Sequence, residues 1–294
     1  MARIAFIGLG HMGGGMAPNL SKAGHEVRAF DLVPEAVSHA VDGGCSAASS
    51  AADAVKGADV VVTMLPAAQH VRKVFHDDVA PNASPGAMLI DCSTIDVPSA
   101  RDVGEEMQAK GFDFVDAPVS GGIAAAAGGS LTFMVGGTDE QFERARPILE
   151  PMAKAVIHAG SLGAGQAAKI CNNMILGATM AATVEGFALA KKLGLGLQTF
   201  FDISSKASGQ SWSMTSYCPV PGVGPETPAD HDYEGGFAAA LMLKDLKLAE
   251  EAAKQVGAYT PMGAKAEDLY QRFVDAGNGN KDFSGLIKMI EAKQ

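Results

Sequence analysis

The sequence predicts an α/β protein with a doubly wound sheet in its N-terminal part and helices alone in its C-terminal part. Up to residue 163, short apolar runs alternate with helical stretches, which is the pattern of strands joined by crossover helices. From 165 to 193 the chain holds no proline and no strand-like run, and this segment could form a helix about 40 Å long. We therefore predict one domain over 1–163 and an all-helical domain over 164–294, joined by this helix.

The predicted strands are short, nearly continuous apolar runs, as expected for strands that are buried on both faces of a parallel sheet. They lie at 3–8, 25–31, 59–65, 87–91 and 112–117, and the runs 131–135 and 155–158 would extend the sheet. Helical stretches lie between them at 12–23, 34–41 and 67–75, and long helical patterns follow at 237–256 and 261–276.

The segment 211–236 breaks the helical pattern of the C-terminal part. It holds Pro219, Pro221, Pro225 and Pro228 together with three aromatic residues. A loop of this length in a compact domain is usually functional or disordered. The aromatic residues favour an ordered loop near a site or a subunit contact, and a plain surface excursion is the alternative.

Composition and charge restrict the partners of the chain. The 294 residues carry a net charge of −10 without any Lys/Arg-rich tract, which disfavours nucleic acid and anionic membrane surfaces. The N-terminus enters a strand at once without a targeting pattern, and the apolar run 178–190 is short and weakly apolar for a membrane span. The four cysteines lack metal-ligand spacing, so we expect reduced thiols and no metal site. The missing targeting pattern predicts a cytoplasmic protein, and the acidic charge predicts a small molecule as its partner.

A glycine-rich loop follows the first predicted strand and opens the first predicted helix. Its residues, which fit the pattern G-x-G-x-x-G, are Gly8, Leu9, Gly10, His11, Met12 and Gly13. Gly8 permits the tight turn, Gly10 lets the backbone approach a pyrophosphate, and Gly13 allows close packing of helix and strand. The helix N-terminus adds N–H groups and a positive dipole end. The loop therefore predicts a Rossmann-type dinucleotide site.

Asp31 closes the second predicted strand, about twenty residues beyond the loop. Its carboxylate could accept hydrogen bonds from both hydroxyls of an adenosine ribose, and its charge would repel a 2′-phosphate. Leu32 and Val33 follow, where an NADP site would need an arginine. We therefore predict NAD as the cofactor, with a turn carboxylate at a strand end as the alternative reading of Asp31.

Two polar segments are candidates for the reaction itself. Ser120, Gly121 and Gly122 follow a predicted strand at the carboxyl edge of the sheet, and their N–H groups and hydroxyl could cradle a carboxylate. Lys169, Asn172 and Asn173 share one face of the long helix, where the lysine could move a hydroxyl proton and Asn173 could hold the substrate. The alternatives are an ordinary glycine turn and a solvated lysine.

The pair Lys244 and Asp245 lies inside the apolar helical sequence 241–249. It could belong to a site, or it could be an ion pair on a helix surface. Spacing alone does not decide between the two, and both residues stay candidates.

Together these segments resemble the β-hydroxyacid dehydrogenase family along almost the whole chain. The matching segments are GLGHMGGGMAPNLSKAGHEV at 8–27, MLP at 64–66, DCST at 91–94, DAPVSGG at 116–122, GAGQAAKICNN at 163–173 and YEGGFAAALMLKDLKLA at 233–249. The sequence 210–213, with Tyr217 and the proline-rich loop, is similar to the family branch that acts on 3-hydroxyisobutyrate. The resemblance implies an active site in the cleft between two domains, and a homodimer or homotetramer formed through the helical domain.

The resemblance also implies roles for individual residues. Lys169 is expected to be the catalytic acid/base. The residues expected to hold the substrate are Ser120, Gly121, Gly122 and Asn173, and we add Asp245 and Trp212 as candidates. The further cofactor contacts expected are Leu65, Pro66, Thr94 and Lys244. The expected reaction is NAD-dependent oxidation of (S)-3-hydroxyisobutyrate to methylmalonate semialdehyde, a step of valine breakdown.

Two alternatives stay open at this level. One is another member of the family with the same core residues, such as a tartronate-semialdehyde or glyoxylate-type reductase or a serine-type 3-hydroxy acid dehydrogenase. The other is a non-catalytic nucleotide-binding scaffold or sensor, against which the presence of Lys169 and Asn173 argues.

Overall fold

The computed structural model describes residues 1–293. The chain forms two compact units, Met1–Lys169 and Ile170–Gln294. The predicted domain boundary lay at residue 163, and the two units divide a few residues later, inside the long helix Ala164–Lys192.

The first unit alternates strands and helices, as predicted. Its strands are β1 (Arg3–Ile7), β2 (Glu26–Phe30), β3 (Ser46–Ala47), β4 (Val60–Thr63), β5 (Met88–Asp91), β6 (Asp113–Asp116), β7 (Val119–Ser120), β8 (Leu131–Gly136) and β9 (Ala153–Gly160). Its helices are α1 (Gly13–Lys22), α2 (Pro34–Asp42), α3 (Ala51–Val55), α4 (Ala68–Lys73), α5 (Ala80–Asn82), α6 (Val97–Ala109), α7 (Gly122–Ala127) and α8 (Asp139–Leu149), with a π-helical turn at Val74–Val79 and a 3-10 turn at Glu150–Met152. Helix α9 (Ala164–Lys192) begins in this unit.

The sheet has the strand order β3-β2-β1-β4-β5-β6-β8-β7, and β9 pairs with β8. The neighbours among β1 to β6 are all parallel, in the strand order of a Rossmann-type fold. The runs 131–135 and 155–158 extend the sheet as predicted, although β8 pairs antiparallel with β6 and β7. Strands β3 and β7 were not predicted from the sequence, because two residues are too few to show a period.

Strand β1 shows why the predicted strands read as continuous apolar runs. Ile4 and Phe6 belong to the core on one face of the sheet, and Ala5 and Ile7 belong to the core on the other. Burying a large apolar side chain contributes about 1.5–3 kcal/mol, so both faces favour apolar residues. The strand order reverses between β1 and β4, and open α/β sheets bind ligands at the carboxyl ends of strands at such a point.

The second unit is all helical over its described residues, as predicted. After the continuation of α9, its helices are α10 (Leu197–Ser204), α11 (Trp212–Thr215), α12 (Ala239–Val256), α13 (Pro261–Phe273) and α14 (Leu286–Ala292), with 3-10 turns at Pro228–His231 and Phe283–Gly285 and a π-helical turn at Val274–Asn278. Its core includes Tyr270, Phe273 and Phe283, all of which are buried.

The proline-rich segment 211–236 is ordered by polar contacts of its own. Thr227 and Asp230 form a capping box around the 3-10 turn, and the Asp230 carboxylate also accepts the Gly222 N–H at 2.6 Å. The Tyr233 hydroxyl donates to the carbonyl oxygen of Pro219 at 2.8 Å. These bonds tie the segment to itself. The predicted loop is interrupted by the short helix α11 and by the 3-10 turn at Pro228–His231, each of which is too short to show a helical period in the sequence.

Helix α9 could cross a membrane by length and composition alone, since an 18-residue window of its 29 residues has a mean hydropathy of 1.3. That window is longer than the run 178–190 considered from the sequence. Half of it is buried inside the protein, which is also the behaviour of a core helix.

Candidate active site

The glycine loop between β1 and α1 has the geometry of a phosphate-binding turn. Gly8 has a φ of 96°, and a Cβ there would collide with the carbonyl oxygen of Met64. A Cβ on Gly13 would collide with the carbonyl oxygen of Gly8, whereas one on Gly10 would meet nothing within 4 Å. The fold itself therefore requires the outer two glycines, and the middle one leaves open space in front of the backbone.

The remaining loop residues fit an anionic ligand at the start of α1. Leu9 is buried, His11 is exposed and Met12 is half-buried. The first turn of α1 carries no acidic side chain, so the positive end of the helix dipole is not offset there. Open space at Gly10 and an uncompensated helix N-terminus are what a dinucleotide pyrophosphate needs.

Asp31, directly after β2, is tied to the same loop. Its Oδ2 accepts the N–H of Leu9 at 2.6 Å, and its Oδ1 accepts the N–H of Val33 at 2.9 Å. Because a backbone donor holds each oxygen, the carboxylate has a fixed orientation. Each oxygen keeps a second lone pair with which it could accept a ribose hydroxyl.

The carboxyl ends of β4 and β5 are joined by a buried polar network. Asp91 Oδ1 accepts the Thr63 hydroxyl at 2.7 Å and the Ser93 hydroxyl at 2.6 Å, and Ser93 Oγ in turn accepts the N–H of Leu65 at 2.8 Å. This network fixes Leu65 and Ser93, the residues directly before two predicted cofactor contacts, Pro66 and Thr94. Burial raises the pKa of Asp91, against the opposing effect of its hydrogen bonds.

Asp116, the last residue of β6, accepts hydrogen bonds from the start of α9. Its Oδ1 accepts the N–H of Gly163 at 2.7 Å, and its Oδ2 accepts the N–H of Gln166 at 2.8 Å. Burial raises the pKa of Asp116 to about 6, while these two backbone donors act in the opposite direction. One carboxylate thus links the strand that precedes the predicted substrate turn to the helix that carries Lys169.

The predicted substrate turn lies between β7 and α7. Gly121 and Gly122 have φ values of 144° and 78°, which favour glycine strongly. A Cβ on Gly122 would meet nothing within 4 Å, whereas one on Gly121 would collide with Ala125. Ser120 is half-buried and pairs with Thr132 of β8. The turn therefore offers backbone and a hydroxyl beside open space.

Lys169 lies on α9, one turn after Gln166, and is 8% exposed. This burial excludes the solvated lysine that was the alternative to a functional residue. Asn173 follows one turn later on the same helix and is 1% exposed. Two residues of the predicted polar face are therefore inside the protein, whereas the third, Asn172, is exposed.

In the second unit, α9 and α12 bring two predicted site residues together. Asn173 Nδ2 donates to Asp245 Oδ2 at 2.6 Å, and Asp245 is 3% exposed. Asp245 Oδ1 has no hydrogen-bond partner among residues 1–293, and Lys244 Nζ lies 3.7 Å from it. Asp245 therefore pairs with Lys244, as the alternative from the sequence had it, but its carboxylate is buried and does not lie on the helix surface.

Trp212, a predicted substrate contact, is 49% exposed. Its ring stacks on Tyr217 with centroids 4.8 Å apart, and the Tyr217 hydroxyl donates to Asp282 Oδ2 at 2.8 Å. Its contacts are thus those of a side chain held in place at the surface of the helical unit, and a substrate contact by Trp212 stays a prediction.

Three buried polar residues near the sheet edge were not among the predicted site residues: Asp91, Asp116 and Gln166. Asp91 and Asp116 each end an apolar strand and are register partners on neighbouring strands. A charged residue at the last position of an apolar run was the available signal. The sequence held no such signal for Gln166, because the partners of its side chain lie more than 70 positions away. No group of three or more His, Cys, Asp or Glu side chains within residues 1–293 could hold a metal ion.

Comparison with known proteins agrees with this geometry. Residues 3–160 match the family model of the NAD binding domain of 6-phosphogluconate dehydrogenase, and residues 163–290 match the family model described as NAD-binding of NADP-dependent 3-hydroxyisobutyrate dehydrogenase. The 3-hydroxyisobutyrate dehydrogenase of Pseudomonas aeruginosa is 48% identical over 297 residues, which cover 100% of both chains. The chain belongs to the β-hydroxyacid dehydrogenase family.

Other β-hydroxyacid dehydrogenases are equally similar but differ in the substrate they are named for. The NAD-dependent L-serine dehydrogenase of Pseudomonas aeruginosa is also 48% identical, over 100% of this chain and 99% of its own length. A solved structure of Mycobacterium tuberculosis 3-hydroxyisobutyrate dehydrogenase with L-serine has a TM-score of 0.93 and 48% identity, with 99% of each chain covered.

Membership of the family confirms the predicted Rossmann-type domain, the all-helical C-terminal domain and NAD as the cofactor. This β-hydroxyacid dehydrogenase is therefore an NAD-dependent oxidoreductase.

Proposed function

We propose that this β-hydroxyacid dehydrogenase oxidises (S)-3-hydroxyisobutyrate to methylmalonate semialdehyde, a step of valine breakdown, with Lys169 as the acid/base residue. The observation that carries the proposal is the burial of Lys169 on a helix whose first turn is fixed to the carboxyl edge of the sheet. A lysine in that setting has a defined position, which a proton-transfer residue needs.

Ser120, Gly121 and Gly122 are the residues we propose for the substrate carboxylate. The positive φ values of both glycines turn the backbone sharply, and the turn adjoins open space at Gly122. Backbone N–H groups in such turns form anion-binding concavities. With its carboxylate held, the substrate presents its hydroxyl-bearing carbon in one orientation, and such positioning is a large part of catalysis.

Lys169 acts on the hydroxyl group in this proposal. Its neutral amine accepts the hydroxyl proton during oxidation, and its ammonium form returns the proton in the reverse direction. Asn173 and Asp245 are proposed to contribute to substrate binding, and Trp212 to the wall of the site.

NAD, when bound, supplies the acceptor for the hydride. The chain's own contribution is to hold the dinucleotide: the glycine loop for the pyrophosphate and Asp31 for the adenosine ribose. Leu65, Pro66, Thr94 and Lys244 are proposed as further contacts. The network of Asp91 and Ser93 supports this part of the proposal, since it orders the backbone at Leu65.

A second candidate substrate is L-serine, which differs from 3-hydroxyisobutyrate by an ammonium group in place of a methyl group. The observation that favours it is the buried Asp245 Oδ1, which has no hydrogen-bond partner among the described residues. A carboxylate oxygen in that state is a suitable acceptor for an ammonium group. The L-serine dehydrogenase among the relatives supports the same candidate.

We further propose a cytoplasmic homodimer or homotetramer without nucleic-acid or membrane partners. Support comes from the helical unit, which exposes several large apolar side chains, among them Ile175, Leu189, Leu193, Val256 and Met262. Where such side chains form a contiguous patch, they are typical of subunit contacts. Light scattering coupled to size-exclusion chromatography measures the subunit number, and a monomer at micromolar concentration would contradict this part of the proposal.

The test of the reaction is NADH formation by the purified protein with (S)-3-hydroxyisobutyrate, L-serine and D-glycerate, each with NAD and with NADP. We expect turnover with NAD, and a fall in kcat of about 100- to 10,000-fold for Lys169→Ala. Lys191→Ala is the matched control, because Lys191 lies on the same helix but is exposed and paired with Glu291.

Each outcome of this test has a distinct meaning. Preferred turnover of (S)-3-hydroxyisobutyrate supports the first candidate, and preferred turnover of L-serine or D-glycerate moves the substrate within the family. NAD binding without turnover of any 3-hydroxy acid would contradict the proposed reaction and favour a nucleotide-binding sensor.

A further inference from the structure

The first turn of α9 lacks a capping side chain of its own. Gly163 precedes the helix with a φ of 84°, outside the extended conformation in which Ser, Thr or Asp normally cap. Its N–H and the N–H of Gln166 are the two groups that a local capping box would satisfy. Both instead donate to Asp116, at 2.7 and 2.8 Å, so the cap is supplied from strand β6.

Helix α8 in the same unit shows the ordinary arrangement. Thr138 accepts the N–H of Gln141 at 3.2 Å, and the Gln141 side chain accepts the N–H of Thr138 at 3.0 Å. Gln141 and Gln166 occupy the same position of their helices, three residues after the residue that precedes the helix. In α9 the glutamine side chain is not needed for the local cap.

The Gln166 side chain binds a second element of the sheet edge. Its Nε2 donates to the carbonyl oxygen of Ser93 at 2.7 Å, and its Oε1 accepts the N–H of Ile95 at 3.1 Å. These two groups flank Thr94. The first turn of α9 is therefore bound both to β6, through Asp116, and to the segment after β5, through Gln166.

Two glycines allow this close approach. A Cβ on Gly165, in the first turn of α9, would collide with the carbonyl oxygen of Met134, and one on Gly136 would collide with Asp116 Oδ1. Asp116 and Gln166 are both fully buried. The helix start therefore has little freedom to tilt or slide against the sheet.

We propose that Asp116 and Gln166 are positioning residues, which together hold Lys169 in place relative to the Ser120–Gly122 turn and to Thr94. The proposal rests on the proposed role of Lys169. Lys169 lies one turn beyond the capped end, so a small tilt of that end displaces its side chain. A displacement of about 1 Å can lower a catalytic rate up to 100-fold.

The charge of Asp116 supports this role. With its pKa near 6, Asp116 is ionised at neutral pH, where a negative charge stabilises a helix N-terminus. Asp116→Asn keeps the size of the side chain but removes the charge and turns an NH₂ group toward one of the two N–H donors. Gln166→Leu keeps the volume and removes both hydrogen bonds to the segment after β5.

The experiment compares these two variants with matched controls. Gln141→Leu breaks the cap of α8, which carries none of the proposed site residues, and Asp113→Asn changes the partly exposed first residue of the same strand β6. We expect kcat to fall about 10- to 100-fold in Asp116→Asn and Gln166→Leu, with KM for NAD and for the hydroxy acid within about twofold of wild type. The controls should keep kcat within about twofold although Gln141→Leu also loses a cap.

Hydrogen exchange of the protein without substrate provides a readout independent of activity. The amides of the first turn of α9 should exchange faster in Asp116→Asn, whereas those of α8 should not change. The pH dependence of kcat/KM should also shift, because Lys169 changes its surroundings, and a purely structural role would leave it in place.

The outcomes separate this proposal from the proposed reaction. If wild type is active and Lys169→Ala is inactive, but both positioning variants keep kcat, the positioning role is wrong. If Gln166→Leu and Gln141→Leu lose kcat equally, the effect is general instability and the proposal is again wrong. If Lys169→Ala stays active, the proposed reaction fails, and hydrogen exchange still decides whether Asp116 caps α9. If Asp116→Asn does not fold, the comparison of Gln166→Leu with Gln141→Leu decides.

Discussion

Two buried aspartates of the helical unit differ in the number of hydrogen bonds that their carboxylates accept from the rest of the protein. Asp282 accepts four: from the N–H and hydroxyl of Ser284 at 2.9 and 2.6 Å, from the Tyr217 hydroxyl at 2.8 Å and from the N–H of Phe237 at 2.7 Å. Asp245 accepts one, from Asn173, and its Oδ1 has no hydrogen-bond partner among residues 1–293.

The difference separates a group used for folding from one available to a ligand. Leaving a buried polar atom unpaired costs about 1–3 kcal/mol, so a protein that keeps one usually has a use for it. The Asp282 carboxylate joins the proline-rich segment to the C-terminal turn and has no acceptor left over. Asp245 retains an acceptor beside Asn173, which is the basis for its proposed role in substrate binding. Substitution of Asp282 should therefore lower mainly the stability, and substitution of Asp245 should lower mainly the activity.

The largest effect expected from this comparison is a loss of stability in Asp282→Ala. Four donors lose their acceptor and at least two of them are backbone N–H groups inside the protein, so the free energy of unfolding should fall by about 4 kcal/mol. Urea denaturation measures it, and the fraction that stays folded should keep its KM for NAD. Asp275→Ala is the control, since Asp275 is exposed and its side chain accepts a hydrogen bond from Gln271. Equal losses in the two variants would contradict the comparison.

Asp245→Asn should change activity instead of stability. The amide has the same shape and can keep the bond to Asn173, so we expect the free energy of unfolding to change by less than about 1 kcal/mol. For L-serine, kcat/KM should fall about 10- to 100-fold, because the acceptor for its ammonium group becomes a donor. For (S)-3-hydroxyisobutyrate the fall should be smaller. Equal losses for both substrates would sink the assignment of Asp245 Oδ1 to the ammonium group.

Asp116 extends the comparison to the sheet unit and predicts a pH dependence. Its folded-state pKa of about 6 lies above the ordinary value of 3.8, so the folded chain binds a proton that the unfolded chain has already released. The contribution of this group to stability is complete below pH 3.8 and is lost as the pH rises through 6. Relative to Asp116→Asn, wild type should therefore lose about 1.3 kcal/mol of unfolding free energy between pH 5 and pH 7.

Chemical denaturation of both proteins at several pH values measures this difference. A difference that stays constant from pH 5 to pH 7 would show that Asp116 does not titrate in this range. Asp113→Asn serves as the control on the same strand, because Asp113 is partly exposed and paired with Arg144.

The smallest effect expected is that of Tyr217→Phe. It removes one of the four donors to Asp282 and keeps the stacking on Trp212 and Phe283, so the cost should be about 1 kcal/mol. Thermal unfolding followed by circular dichroism measures it. A loss as large as that of Asp282→Ala would mean that Tyr217, and not the full set of donors, is what stabilises this carboxylate.

Much of the fold was predictable because its causes are local. Seven strands were predicted from apolar runs, and the glycine loop and Asp31 from spacing alone. The antiparallel direction of β8 was not, because strand direction depends on the path of the chain between strands and leaves no period in the sequence. Strands β3 and β7 were missed for their length.

The site also has a part that local sequence predicted and a part that depends on contacts between distant residues. Lys169, Asn172 and Asn173 were predicted as one polar helix face. Lys169 and Asn173 are buried, and Asn172 is exposed. The remote cap of α9 was not predicted, because Asp116 lies 47 and 50 positions away from the two residues it binds. Nothing near Gly163 or Gln166 in the sequence indicates a partner at that distance.

By itself the sequence determined the alternation of strands and helices, the dinucleotide loop, and the residue types available for catalysis, since short-range sterics and apolar periodicity decide these. The tertiary structure alone decided which buried polar groups have all their hydrogen-bond partners and which keep an unused acceptor. Asp282 and Asp245 are the same residue type and both are buried, and the donors that the fold brings to them distinguish them. Hydrogen bonds act over about 3 Å, so their completion depends on how the chain folds back on itself.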